Sequence, residues 1–190
     1  MTRLVLILAL ALAFSPGCVP PRPIVVGEIP TLSPDEGILV LDVESDVPIE
    51  RLALNGVPAV EHLEAGHQLA LLVVEAGSYR WTAIQIPGAS GSARFRIRRE
   101  DEWTFHVEAG RINYPGTILV SHRSGLGSIQ LYAGNLNRSA MTWVELKRRF
   151  PQLVERYVVI YSGPAKDGFL AQLATLQASK RAAAAREGPE

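Results

Sequence analysis

The chain has one cysteine, four histidines and two methionines among its 190 residues. One thiol can form no intramolecular disulfide and no thiolate metal cluster. No surplus of charge of either sign exists, since Lys+Arg and Asp+Glu stand at 19 each. Such a chain has no general electrostatic reason to seek nucleic acid, and it carries no RNA- or DNA-reading motif. No nucleic-acid partner is expected. Long apolar runs are missing as well. Leu4–Phe14 is eleven residues long, whereas a helix needs about 20 to cross the hydrocarbon of a bilayer. What is present is ordinary for a globular protein: 47% hydrophobic and 20% charged residues. That argues against wholesale disorder and suffices for one domain with its own core.

The cysteine gains meaning from its position. Arg3 supplies a short positive region, Leu4–Phe14 an unbroken apolar one, and Ser15-Pro16-Gly17-Cys18 follows. This order is that of an export signal. Its end resembles the lipobox of bacterial lipoproteins, although Ser15 stands where Leu is usual and Pro16 is unusual beside the cut. The resemblance implies cleavage before Cys18, a diacylglyceryl group on its sulfur, and a membrane as partner through that lipid. Each buried CH₂ of a palmitate-like chain contributes about 0.8 kcal/mol, so two or three chains anchor durably. Val19 rather than Asp after the cysteine implies the outer membrane, facing the periplasm or the surface. An ordinary secretory signal cut nearby, with Cys18 incidental, is the alternative. Removing residues 1–17 takes away only Arg3, leaving 18 basic against 19 acidic residues, a net −1.

Residues 18–36 hold prolines 20, 21, 23, 30 and 34, which favours an extended tether over a central strand. An edge strand at Ile24-Val25-Val26 is the alternative. From Gly37, short apolar runs alternate with turn signals every eight to twelve residues, the spacing of a sandwich or barrel. Strands are expected at 38–43, 49–54, 59–63, 68–74, 78–86, 93–98, 103–107, 117–122 and 128–132. Asn55-Gly56 is a tight-turn signal. Arg94, Arg96 and Arg98 alternate with Phe95 and Ile97. A hairpin around 99–101, pairing Phe95 with Phe105 and Ile97 with Trp103, would put an arginine stripe outside beside Thr104 and His106. Thr142-Trp-Val-Glu145 has capping-box form for a helix that Pro151 stops. Tyr157–Tyr161 could be a last strand. Asp167 would cap a helix with the stripe Phe169, Leu173 and Leu176, fraying beyond Gln177. The expected fold is mainly β: a single antiparallel β-sandwich over 37–165, with one or two short C-terminal helices and a helix-and-tail segment at 166–190.

Leu54-Asn-Gly-Val-Pro, Val73-Val-Glu-Ala-Gly-Ser-Tyr79-Arg-Trp81 and Phe105-His-Val-Glu-Ala-Gly110-Arg-Ile-Asn-Tyr114-Pro-Gly116 carry a second resemblance. Over residues 37–120 the chain resembles the PEGA-type and transthyretin-like (Ig-like) sandwich domains of bacterial lipoproteins. The resemblance implies fold and envelope location, and it carries no catalytic residues. Tyr79 and Tyr114 would pack on the core with their hydroxyls reaching backbone or water.

Chemistry is hard to find in this sequence. His62, Glu64 and His67 could begin a metal site, but no further ligand stands at a recognised spacing. Asp42, Glu44 and Asp46 read as an acidic, solvated strand end rather than a cation loop. His106 and His122 have weak claims. Gly88–Ser92 misses the nucleophile-elbow pattern, and Ser124–Ser128 lacks the Lys of a phosphate loop. Arg94, Arg96, Arg98 and His106 form the best binding candidate, suited to an anionic lipid or an acidic envelope protein. The function expected is therefore a lipid-anchored envelope protein acting as a structural or interaction module, not an enzyme, with no metal or cofactor. The alternatives are a peptidoglycan- or carbohydrate-binding module using Trp81 or Trp143, and a metal-dependent hydrolase.

Overall fold

The structure, a computed structural model, describes residues 20–88, 91–98, 100–125 and 128–186. The expected signal peptide and Cys18 lie outside these residues. In chain order the elements are β1 Arg22–Pro23, β2 Glu36–Ser45, β3 Ile49–Leu54, β4 Val57–Leu63, β5 Gly66–Glu75, β6 Gly77–Gly88 and β7 Gly91–Arg96. There follow α1 Glu100–Trp103, β8 Thr104–Val107, β9 Arg111–Tyr114, β10 Thr117–Gly125, β11 Ser128–Leu136, α2 Ser139–Arg149, α3 Pro151–Arg156, β12 Val158–Tyr161 and α4 Gly168–Arg186.

The strands form two sheets, so the mainly-β, sandwich-like reading holds. The larger sheet runs β1-β5-β2-β10-β11, with β9 also on β2 and β12 on β9; the smaller runs β4-β3-β6, with β7 and β8 both on β6. The sandwich is not purely antiparallel. β10 and β9 each pair with β2 in parallel, and β12 pairs with β9 in parallel. Parallel neighbours need long crossovers. Between β2 and β9 the chain lays down β5 in the larger sheet and all the strands of the smaller one, which supplies such a crossover. Apolar alternation reports which face is buried but not which way a neighbour runs, so this mixture was not readable in advance.

The layers number three. Leu39, Leu41 and Val43 of β2, with Leu72, Val74, Ile118 and Val120, meet Leu52, Leu54, Trp81, Ile84, Phe105 and Val107 of the smaller sheet. The other face of the larger sheet (Ile38, Val40, Leu69, Leu71, Val73) is covered by Leu146, Phe150, Leu153, Val154 and Leu170 from α2, α3 and α4. β2 is thus buried on both faces from Gly37 to Val43. A near-continuous apolar run is what such a strand requires.

Four departures from expectation follow from local physics. First, β7 and β8 are not a hairpin. Both lie antiparallel along the same edge of β6, β7 against Ala83–Gly88 and β8 against Gly77–Arg80. α1 lies between them in the chain, and its last residue Trp103 reaches the core at 3% exposure. Second, from Arg22 the segment expected as a tether is laid on the domain. Arg22 and Pro23 pair with Val73 and Leu72, and Ile24 is buried with its N–H on the Leu71 carbonyl at 2.8 Å. Third, helices are more numerous than expected, four among the described residues, and α4 alone spans 19 residues. Its buried stripe begins at Leu170 and continues to Leu173, while Phe169 and Leu176 are exposed. Fourth, Thr142 does not cap α2, which begins three residues earlier. β9 was not expected at all; the other strands overlap their expected positions, β3 residue for residue, and Asn55 and Gly56 both take positive φ (50° and 85°) in the β3–β4 turn.

Candidate functional site

The expected arginine stripe becomes one wall of a groove on the outer face of the smaller sheet. Where β7 leaves β6 and before β8 joins it, Trp81 and Thr82 have no regular partner on that edge among the described residues, although Trp81 still pairs with Leu54 of β3 on the other; the Ile97 N–H reaches the Thr82 carbonyl at 3.0 Å. Over this notch lies an open groove of about 970 Å³. Arg94, Arg96 and Arg98 line it together with Arg80, Thr82, Ser78, Thr104 and the Asn55-Gly56 turn. Tyr79 and Ile97 complete its lining. No carboxylate lines it among the described residues.

The groove is built by strand geometry. Phe95 packs inward on the core, so Arg94 and Arg96 must face out. On β6, Tyr79 and Trp81 face the core and stack against Phe105 at 6.0 and 5.7 Å between ring centroids, which turns Arg80 outward toward the arginines of β7. Arg51 is already held by Glu61 at 2.8 Å, and Glu108 by Arg111 at 2.8 Å. Arg94, Arg96 and Arg98 make no ion pair among the described residues. His106 lies on the same face but outside the groove, its Nδ1 3.5 Å from Ser78 Oγ. Sequence reasoning missed Arg80 because a β6 position becomes part of the stripe only once the register of β6 with β7 is known.

A second polar cluster was not foreseen. Asp42, read as solvated, is 3% exposed. Its Oδ2 accepts hydrogen bonds from Thr117 Oγ1 (2.8 Å) and Thr142 Oγ1 (2.6 Å), and its Oδ1 lies 2.7 Å from His67 Nε2. Tyr114 joins through Thr117 at 2.8 Å and accepts the Arg138 N–H at 2.9 Å. Burial pushes the Tyr114 hydroxyl above its ordinary pKa, against the opposing effect of its hydrogen bonds to Thr117, Thr142 and Arg138. Each oxygen of the buried Asp42 carboxylate thereby has a partner, which a buried polar group requires. The cluster ties β2, β5, β10 and α2 together beside a cavity of about 480 Å³ lined also by Glu44, Arg138 and Met141. The signal in the sequence was the carboxylate itself, a lone Asp inside the apolar run GILVLDV.

The other candidates separate. His62 lies near the end of β4 in the smaller sheet and Glu64 just after it, whereas His67 is the second residue of β5 in the larger one and turns to Asp42. Among the described residues no group of three His, Cys, Asp or Glu is placed to hold a metal. Asp42, Glu44 and Asp46 diverge, Glu44 to Arg138 and Asp46 to the His122 N–H and ring. Tyr79 donates to the Glu75 carbonyl at 2.8 Å and Tyr114 reaches Leu136, structural roles as expected. Trp81 is 1% exposed, and Trp143 is partly buried against the helical core. The Gly88–Ser92 and Ser124–Ser128 loops run through residues 89–90 and 126–127, outside the described part. No family model, no curated protein and no solved structure matches this chain.

Proposed function

We propose that this chain is a lipid-anchored protein of the bacterial cell envelope, of the outer membrane by its Val19, whose groove docks an anionic partner without performing chemistry on it. In this reading the two packed sheets are a PEGA-type or transthyretin-like variant of the Ig-like sandwich. Cys18 carries the lipid, and Arg80, Arg94, Arg96 and Arg98 carry the recognition.

One observation supports the interaction role above the others: four arginines and several hydroxyls line one concave surface from which carboxylates are absent among the described residues. Guanidinium groups present fixed forks that suit phosphate and carboxylate oxygens. They do not deprotonate in proteins and so are poor candidates for general bases. The arrangement favours binding over catalysis. Burial of Trp81 weighs against its use as a carbohydrate platform.

The test uses the mature protein in detergent, titrated by calorimetry with polyphosphate and, separately, with polyglutamate. Binding of at least one is expected. Each arginine of the set Arg94, Arg96 and Arg98 replaced by Gln should weaken it about tenfold or more, the worth of a charge-assisted hydrogen bond. Lys166→Gln, exposed elsewhere, should leave it unchanged. No binding by the wild type, or an unaltered triple variant, would refute the reading.

A further inference from the structure

The segment between the expected anchor and the domain holds an unusual turn. Val25, Val26, Gly27 and Glu28 form it, closed by the Glu28 N–H on the Val25 carbonyl at 2.9 Å and by the Val25 N–H on Glu28 Oε2 at 3.1 Å. Gly27 takes φ +90°, a conformation that suits glycine at this turn position. Val25 and Val26 are 69% and 59% exposed, and Ile29 is 40% exposed. Turn positions are usually Gly, Pro, Asn, Asp or Ser, because water meets them. Here two β-branched apolar residues occupy the tip.

The tip is held in place rather than dangling. Ile24 before it is buried and bonded to β5, and Tyr157 Oη donates to the Pro30 carbonyl after it at 3.1 Å. A basic collar adjoins it. Val26 shares a surface hollow of about 300 Å³ with Arg148 and Arg149. Those two close α2 together with Lys147, and Arg156 lies over the Tyr157 ring at 5.5 Å. Acidic neighbours are few: Glu28 is occupied in the turn, and Glu145 bonds Arg148 at 2.7 Å. An exposed valine tip beside Arg148 and Arg149 matches the chemistry of an anionic bilayer, with apolar side chains for the acyl boundary and cations for phosphates.

We infer that the Val25–Ile29 turn and the Lys147-Arg148-Arg149 collar form a membrane-docking face that seats the domain on an anionic phospholipid surface. This rests on the reading of Cys18 as the anchor. Cys18 lies six residues before Ile24, which at ~3.6 Å per residue keeps the lipid within roughly 22 Å of that residue, at the base of the turn. The short reach makes the bilayer the nearest surface that the tip can meet. The docking face belongs to the helical side of the larger sheet, and the arginine groove to the outer face of the smaller one. Docking would therefore point the groove away from the anchoring membrane, toward a partner across the envelope.

The test takes the mature membrane-extracted protein with Val26→Cys carrying an environment-sensitive fluorophore, reconstituted into phosphatidylcholine vesicles with or without phosphatidylglycerol. Intact mass on the same sample reports the acyl group on Cys18. The label should shift to the blue and be quenched by lipid-borne quenchers when phosphatidylglycerol is present. The same label at Val57→Cys, on the smaller sheet, should stay aqueous. Replacing Lys147, Arg148 and Arg149 by Gln should lower the docked-to-undocked ratio roughly fivefold per residue. An aqueous label at 26 on acylated protein, or burial indifferent to anionic lipid and to the collar, overturns the docking face and leaves the anchor standing. A label shielded without vesicles, in protein of doubled mass, assigns the turn to a second copy and also overturns it. Missing acyl mass refutes the anchor alone, because added vesicles still report whether the label docks.

Discussion

Replacing Thr142 by Val should weaken the domain well beyond what its position in an expected capping box would suggest. The substitution keeps volume and β-branching, so helix propensity hardly changes. It removes one of the two hydroxyls on Asp42 Oδ2, a bond of 2.6 Å in a site where Asp42 and Thr142 are each 3% exposed. A hydrogen bond to a charged group is worth about 1.5–3 kcal/mol. For a domain of this size each kcal/mol moves Tm by about 2–4 °C, so a loss of roughly 3–12 °C is expected. Thr175 supplies the control: its Oγ1 bonds the Ala171 carbonyl at 3.0 Å on an exposed helix face, and Thr175→Val should stay within about 0.5 kcal/mol of wild type. Circular-dichroism melts and urea midpoints measure both. A Thr142→Val protein as stable as Thr175→Val would refute the claim that the buried Asp42 cluster fastens the helical layer to the sheet.

Three further outcomes are expected. Asp167 feels burial, which raises its pKa, but hydrogen bonds from Ser139, from the Leu170 and Phe169 N–H groups and from Asn137 outweigh it and hold its carboxyl below the ordinary range. A depressed folded value means stability present above the unfolded pKa near 4 and lost as pH falls through the folded value. The advantage of wild type over Asp167→Asn in urea midpoint should therefore be seen at pH 7 and shrink below about pH 4. Leu170→Ala should cost about 2–5 kcal/mol by opening a core cavity, whereas Leu176→Ala, on the exposed side of α4, should stay within about 0.5 kcal/mol; equal effects in melts would contradict the phase of that helix. A Cβ at Gly37 would collide with the Glu108 carbonyl oxygen and come within 2.8 Å of Val107 Cγ1. Gly37→Ala should then cost about 1–3 kcal/mol, read as a lowered urea midpoint.

Much of the fold was legible where a single strand face is buried. β3 shows this: its apolar residues and the Asn55-Gly56 turn fix both ends without tertiary information. β9 was missed because four residues buried on most sides, Arg111–Tyr114, show neither alternation nor length. The phase of α4 was missed because Phe169, Leu170, Leu173 and Leu176 allow two stripes, and only packing on β12 and α3 selects the one through Leu170. Of the candidate site, the outward direction of Arg94 and Arg96 was legible from Phe95 between them. Their union with Arg80 was not, since it depends on β7 and β8 sharing one edge of β6. The Asp42 cluster spans residues 42, 67, 114, 117 and 142, and no local pattern links positions that far apart.

The mass of the mature protein extracted from cell envelopes bears most directly on the whole account. A chain beginning at Cys18 and heavier by a diacylglyceryl group is the predicted species, and it should vanish from the membrane fraction on Cys18→Ala. A full-length, unmodified polypeptide in the cytosolic fraction would contradict it.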